Sequence, residues 1–546
     1  MQADIRVSSR RKRLERAAPL ANGKIVVAEK MVSLLEAVLE SGDILCLEGD
    51  NQKQADFLSR CLAKVNPAQV HDLHLVLSTI ALADQLDVFE KGIAKQVDFS
   101  YSGPQGLRMA KLAMSGKINI GNIHTYLELY SRYFTDLCPN ACCLAAEMAD
   151  RDGNLYTGDN TEDTPVVAEA TAFKSGIVIA QVNKLVDKVP RVDIPGDWVD
   201  FVCESPKPFF LEPLFTRDPA QITETMILTA MLAMKGIYAK YLPKSLNHGV
   251  GFNTAAIELL LPTYGEQLGL KGKACLHWLL NPHPTMIPAI EEGFVKTIYT
   301  VGSELGMNRY IAARPDIFPV GRDGSMRSNR AFGQMCGHYA TDMFIGASLQ
   351  IDSQGNSSTA TADRIAGFGG APNFGCDPRG RRHCSPAWLK AGEEAYAGQA
   401  GPPRGRRLVV QLVETFHGKM EPTFVEKLDA WELQQKAGFA LPPIMIYGDD
   451  VTHIVTEEGI AHLLLCRSLE EREQAIRGIA GFTPMGLARD RQAVENLRDR
   501  GIIQRPEDLG IRKSEASRDL LAARTIKDLV RWSGALYAPP ARFRNW

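Results

Sequence analysis

The sequence predicts an α/β protein of two similar halves, each built on an open, largely parallel sheet, facing one another across a cleft. Three observations carry this. Short apolar runs alternate with helical periodicity along most of the chain, the pattern of strand and helix laid down in turn. Gly and Pro are scattered between these runs and not gathered into one linker. A strand running into a Gly-bearing loop and then a helix occurs twice, as LCLEGDNQKQADFLSRCL (45–62) and LNHGVGFNTAAIELLLP (246–262), which points to one plan used twice. With 546 residues, 45% of them apolar, the chain can bury more than one core.

In chain order, residues 1–20 form a basic arm without the apolar core of a signal peptide, expected to be frayed or bound to a partner. Residues 21–217 form the first half, with strands at 43–49, 73–79 and 175–183 and a helix over 52–65. A helix over 220–241 opens the second half, 218–546, which ends in an extension; Asp218 is its expected cap, with Pro219 in the first turn and Gln221 three residues after the cap. Later strands are expected at 343–352 and 407–415.

Charge excludes some partners. The 62 basic and 64 acidic side chains leave a net charge of −2, so nothing favours nucleic acid or an anionic membrane surface. No apolar run reaches the roughly 18 residues of a membrane span. Eleven cysteines in no regular spacing, two of them adjacent at Cys142 and Cys143, argue against a disulfide framework and for reducing cytosol. His71 and His74, or Cys376 with His383 and Cys384, lack the paired spacing of a metal site, and none is expected.

Two Gly-bearing loops let backbone amides approach an anionic oxygen. HGVGFNTA contributes Asn247, Gly249 and Gly251; AGFGGAPNFG contributes Gly367, Gly369 and Gly370 beside Asn373, a suitable oxyanion site for a thioester. Such glycines serve equally as plain tight turns. Arg322, Arg327 and Arg330, or Arg379, Arg381 and Arg382, suit a carboxylate or phosphate, or else lie in solvated loops. Adjacent Glu457 and Glu458 point opposite ways in a strand, so one at most lines a cleft, with Gly459 permitting a turn; Glu304 is a further carboxylate. Alternation through 343–352 places Phe344, Gly346, Ser348 and Gln350 on one face, leaving room beneath Gln350, whose amide is either a cleft residue or a buried structural partner.

FIGASLQIDSQGNSST followed by IAGFGGAPNF, together with DDVTHIVTEEGIAHL and VVAEATAFKSGIVIAQVN, resembles the family I coenzyme A transferases. Within them, GDNTEDTPVVAEATAFKSG, LNHGVGFNTAA and FPVGRDGSMRSNRAFGQMCGHYATDMFIGASLQID resemble most the α subunits of biotin-independent malonate decarboxylases. The resemblance implies a cytoplasmic transferase that exchanges acetyl for malonyl on a carrier-protein thiol. That thiol belongs to a phosphoribosyl-dephospho-coenzyme A arm on a small δ (acyl carrier protein) subunit, and separate β and γ subunits decarboxylate the product. No tightly bound cofactor is implied. Catalysis is expected at Gln350, Gly369, Gly370 and Asn373, contact with the coenzyme arm at Asn247, Gly249, Gly251, Gly367, Glu457 and Gly459, and malonate binding at Arg327 and Arg330. At the position of Gln350 the covalent members of the family carry a nucleophilic glutamate. A glutamine amide cannot replace it, which implies direct attack by the acid substrate's carboxylate. A citrate lyase α-type transferase, a covalent coenzyme A transferase and a non-catalytic scaffold are the other readings.

Overall fold

Apolar runs bounded by Gly, Asp or Asn form two large sheets in the computed structural model, which describes residues 2–49, 52–326, 329, 341–377, 385–400 and 404–546. The first is eight-stranded and runs in space as Asn119–Ile123, Ala94–Tyr101, Leu73–Thr79, Ile44–Leu47, Ala141–Ala149, Ile177–Leu185 and Phe201–Glu204, with the short Leu155–Tyr156 paired to Ala141–Ala149. All its pairings are parallel except that last one. The second, also eight-stranded, runs as Thr297–Tyr299, His277–Leu279, Ser245–His248, Met343–Gly346, Leu408–Leu412, His453–Thr456, Gly459–His462 and Ile503–Gln504. It is parallel as far as His453–Thr456 and antiparallel beyond.

Each sheet begins in its middle and winds outwards both ways. Ile44–Leu47 has later strands on either side in the first sheet, and Ser245–His248 does in the second. Such a reversal leaves a crevice at the carboxyl ends of the two central strands, the place where open α/β sheets bind ligands. In the second sheet those strands are Ser245–His248 and Met343–Gly346.

A finer repeat ties the halves together. Asp150 and Asp352 each open a D-x-x-G-N turn in which the Asp Oδ1 accepts two backbone N–H bonds, at 3.1 and 3.0 Å in the first half and 3.0 and 2.9 Å in the second. The glycines, Gly153 and Gly355, take φ of +86° and +87°, a region that favours Gly. Asn154 and Asn356 then accept from the N–H of Gly196 and Gly448, so both turns are pinned alike.

Three expectations are corrected. The helix expected over 220–241 starts later: Asp218 caps only a single 3₁₀ turn, Pro219–Gln221, after which Ile222 and Thr223 are extended. Thr223 caps the helix proper, Glu224–Ala233, which passes through a π-turn at Met234–Tyr238. The strand expected over 343–352 stops at Gly346 and resumes as Gln350–Ile351, paired antiparallel with Ser357–Ser358. Alternation therefore does not carry across the break, and Phe344 and Ile351, expected on opposite faces, share one apolar cluster. The basic opening is neither frayed nor free. It forms the helix Gln2–Ala17, held on the first half by Arg13 to Asp43 and Glu40, Arg10 to Asp200, and Arg6 to the carbonyls of Lys174 and Pro139.

No described helix is long and apolar enough to cross a membrane. All nine cysteines among the described residues are free thiols.

An apolar cluster runs through both halves, joining Phe99 and Met109 to Phe344 and Ile365. Beside it lies a buried polar seam. Asn281 Nδ2 donates to Gln52 Oε1 at 3.1 Å and Glu162 Oε1 at 2.7 Å, while its Oδ1 accepts from Thr300 Oγ1, Val301 N and Gly302 N. Glu304, named from the sequence as a further candidate carboxylate, is fully buried and accepts from Gln52 Nε2, Phe215 N and Thr216 Oγ1. Burial raises its pKa although these bonds oppose the rise. Each buried group left without a partner costs about 1–3 kcal/mol. Asn281→Ala is thus expected to lower stability by about 3 kcal/mol or more, read as a shifted urea midpoint; an unchanged midpoint would show that the seam does not couple the halves.

Candidate functional site

The crevice at the second sheet's reversal opens into a cavity of about 270 Å³. Its floor is the two strand ends, where Gly249 and Gly346 lie against each other: a Cβ on Gly249 would sit 3.0 Å from Gly346 Cα. A side chain at Gly249 would crowd the neighbouring backbone, and one at Gly346 would meet the Phe344 ring. The helix Phe252–Leu260 follows the first of these ends, and Met343–Gly346 lies between Ser245–His248 and Leu408–Leu412.

The wall is the loop 366–370, docked on the edge of the first half. Gly367 bridges to Tyr101, and Phe368 and Gly369 both give their N–H to the carbonyl of Ser100, at 2.6 and 2.9 Å. Gly367 has φ of +81°, and a Cβ there would meet Ser100 O at 2.5 Å and Tyr101 Cα at 2.7 Å, so only glycine allows the approach. Thr359 Oγ1 holds the Gly367 carbonyl from behind. The Gly370 N–H makes no hydrogen bond among the described residues, and Gly370 lines the cavity at the start of the short helix Ala371–Phe374. Tyr101 and Tyr126 bring the first half over the top.

At the inner end a carboxylate is shared by two histidines. Glu258, on the helix Phe252–Leu260, accepts from His283 Nδ1 at 2.8 Å, His248 Nδ1 at 3.1 Å and Thr285 Oγ1. The π-turn aims Tyr238 at His248 Nε2, 2.7 Å away. Burial works to raise the Glu258 pKa, yet electrostatic coupling to His283 and the hydrogen bonds of both histidines hold it at about 2. His248 shifts down, chiefly through burial, and stays neutral.

The structure brings together Asn247, Gly249, Gly367, Gly369 and Gly370 on the cavity lining and leaves out Gly251, Gln350, Asn373, Glu457 and Gly459. Asn247 is spent on the Leu279 carbonyl, 2.6 Å. Gly369 is corrected as an oxyanion donor, since its N–H belongs to Ser100. Gly251 is an extended cap residue, φ −178°, and Asn373 offers the lining nothing; its carbonyl accepts from Arg407, and its Oδ1 is buried without a partner. Glu457 and Gly459 lie at a hairpin between His453–Thr456 and Gly459–His462 and not in the crevice, with Glu457 accepting from Thr415. Gln350 is off the lining as well, its Oε1 accepting from Asp429 N–H at 2.9 Å while its Nε2 has no partner among the described residues. Arg327, Arg330, Arg379, Arg381 and Arg382 lie outside the described residues.

Sequence reasoning passed over His248, Glu258, Asn281 and His283. The one available signal was NPHP (281–284), polar residues held between prolines directly after an apolar strand.

Two doubly wound halves close a Gly-lined cavity at a sheet reversal, the arrangement expected of the coenzyme A transferase type. Comparison with known proteins narrows this. The family model described as malonate decarboxylase, alpha subunit, transporter, matches residues 2–546. The acetyl-S-ACP:malonate ACP transferase of Malonomonas rubra is 62% identical over 527 residues, covering 96% of this chain and 95% of that protein. A malonate decarboxylase hetero-tetramer from Pseudomonas, solved in complex with malonate, contains a chain 57% identical with TM-score 0.95, covering 99% of each. The putative citrate lyase alpha subunit of Streptococcus mutans shares the fold at 16% identity and TM-score 0.58, over 92% of this chain and 86% of that one. The chain belongs to the malonate decarboxylase alpha-subunit family.

Because the pKa of Glu258 is depressed on folding, the stability it contributes is present above its unfolded value near 4.5 and is lost as pH falls through about 2. Its full contribution is on the order of 3 kcal/mol. Glu258→Gln is expected to be less stable than wild type at neutral pH, with the gap narrowing between pH 4.5 and 2 in thermal melts. A gap constant across that window would rule out the ionised Glu258 as its source.

Proposed function

We propose that this chain is the carrier-protein transferase of a malonate decarboxylase, converting acetyl-S-carrier protein and malonate into malonyl-S-carrier protein and acetate. The relative from Malonomonas rubra carries that activity in its name, and the family assignment spans the chain. The thiol acted on is that of a phosphoribosyl-dephospho-coenzyme A arm on a small carrier subunit. The hetero-tetramer from Pseudomonas supports a working complex in which this chain stands beside the carrier and decarboxylating subunits.

One observation carries the mechanism: among the described residues, no carboxylate, thiol or amine side chain lines the cavity. Gln350, where covalent relatives place glutamate, is an amide, and its carbonyl is engaged by Asp429. The nucleophile is therefore the substrate's own carboxylate. It attacks the acetyl thioester carbonyl, forming the C–O bond of an acetyl-malonyl anhydride as the C–S bond breaks and the carrier leaves as thiolate. The thiolate then attacks the malonyl carbonyl and expels acetate, so charge balances with no net proton transfer.

The protein supplies placement and donors. Holding carboxylate and thioester together offsets about 7 kcal/mol or more of barrier, and each preorganised donor adds about 3 kcal/mol. Gly370 N–H is the thioester donor in this scheme, held in place by the loop's bonds to Ser100. Gln350 contributes at most its Nε2, toward the acid. Gly249 belongs to the floor, and Asn247 lines the cavity two residues before it.

The test is exchange between acetyl-coenzyme A, standing in for the acetylated carrier, and labelled malonate or citrate. Malonate is the expected acceptor, and preference for citrate would move the chain to the citrate lyase type. Borohydride added with acetyl thioester is expected to leave the enzyme active; inactivation at a glutamate would refute direct attack. Gly367→Ala, which forces the loop off Ser100, is expected to lower kcat by roughly 100-fold or more.

A further inference from the structure

Direct attack requires a dianionic acid to enter a cavity with no arginine or lysine among its described lining residues. The remaining groups able to carry positive charge there are His248 and His283. They are not equivalent. Both give Nδ1–H to the same oxygen of Glu258, but His248 spends its second nitrogen on the Tyr238 hydroxyl. His283 Nε2 meets no donor or acceptor among the described residues, although the residue is only 4% exposed and its ring is packed against Phe215 with centroids 5.1 Å apart. A buried imidazole with one nitrogen anchored on a carboxylate and the other open to the cavity is preset as an anion donor.

We infer that His283 reads the second carboxylate of the acid substrate, binding it as an imidazolium formed by uptake of one proton at Nε2. The inference rests on the transferase reading above. Glu258 is the positioning residue: ionised, it accepts from Nδ1–H, fixes the ring and leaves Nε2 as the site that gains the proton. The proton comes from solvent as the dianion enters, and no covalent bond changes. Other charged or titratable groups nearby are His248, held neutral, with Tyr238 on its second nitrogen, Glu304, which accepts from the N–H of Phe215, and Arg217, whose guanidinium lies 5.9 Å from the Phe252 ring centroid. Arg217 has no carboxylate within 4.0 Å among the described residues and feels Tyr101, Glu304 and Glu258 at longer range. It adds positive potential near Glu258. The spectator carboxylate is thereby held at the inner end, beside His283, while its partner carboxylate faces the G-F-G-G loop and the thioester.

The experiment is calorimetric titration of malonate into the purified full chain at pH 7.5 in two buffers of different ionisation heat, with exchange kinetics run in parallel. Wild type is expected to take up close to one proton per malonate, and His283→Gln none. The KM for malonate should rise about 10- to 100-fold in His283→Gln, with a smaller change in kcat. Wild-type affinity should fall as pH rises, and that slope should be lost in the variant. Glu258→Gln, which keeps the histidine but removes its anchor, carries the same readout should His283→Gln not fold. If wild type exchanges malonate without proton uptake, or His283→Gln keeps the wild-type KM and pH slope, His283 is not the reader and the transferase reading stands. If malonate binds with His283-linked proton uptake but no exchange occurs, the transferase reading fails and the role of His283 is upheld.

Discussion

The carboxamide of Asn281 is the interaction on which the rest of the structure depends. Its two N–H groups reach Gln52 and Glu162 in the first half, while its oxygen collects Thr300, Val301 and Gly302 of the second. A buried amide with all its capacity used has one acceptable position, because any sliding of one half over the other would strand several polar groups at once. The apolar cluster that spans the halves supplies most of the adhesion but specifies register weakly; the amide supplies register. The cavity inherits it, because Asn281 is itself part of the lining, and the loop wall and the strand-end floor come from elements that meet across the seam.

The repeated Asp turns show how the two halves came to carry different work. In each, an Asp caps its own loop, a left-handed Gly closes it, and an Asn fastens it to a following Gly. Sheet pairing puts Met148 opposite Tyr156 in the first half and Gln350 opposite Ser358 in the second, so Gln350 occupies the place that Met148 has in its counterpart. The scaffold thus accepts an apolar side chain at this position in one half. In the other it holds an amide whose carbonyl is tied to Asp429, a bond that a structural amide makes.

Much of this was open to reading in the sequence. Strand-length apolar runs located five central strands; LHLVLST, for example, coincides with Leu73–Thr79. The Gly loops marked the floor and wall of the cavity, since close backbone approach excludes a Cβ and leaves a compositional trace. The misses share a cause. Alternation along 343–352 assumed an unbroken strand, but the chain has to leave the sheet at the crevice edge, and a break of three residues reset its parity. Gly369 was named as a donor because a loop's composition shows that amides are exposed, not which carbonyl already holds them; Ser100 lies more than 250 residues away. His283 and Glu258 escaped for the same reason, being 25 residues apart and joined only by the fold.

A cavity with no carboxylate among its described lining residues would suit the proposed direct attack electrostatically as well as covalently. Two unit negative charges 4 Å apart repel by about 4 kcal/mol at the effective dielectric near a protein surface, so a glutamate placed beside the thioester would work against entry of a dianionic acid. An enzyme whose acceptor is a monoanion tolerates that repulsion and gains a tethered nucleophile. For a dicarboxylate the balance shifts, because the substrate brings its own nucleophile and a second charge that needs neutralising. Near this cavity the buried carboxylate of Glu258 is set behind two histidines, both of which donate to it. The negative charge of Glu258 is then spent on orienting His283 and not on opposing the ligand.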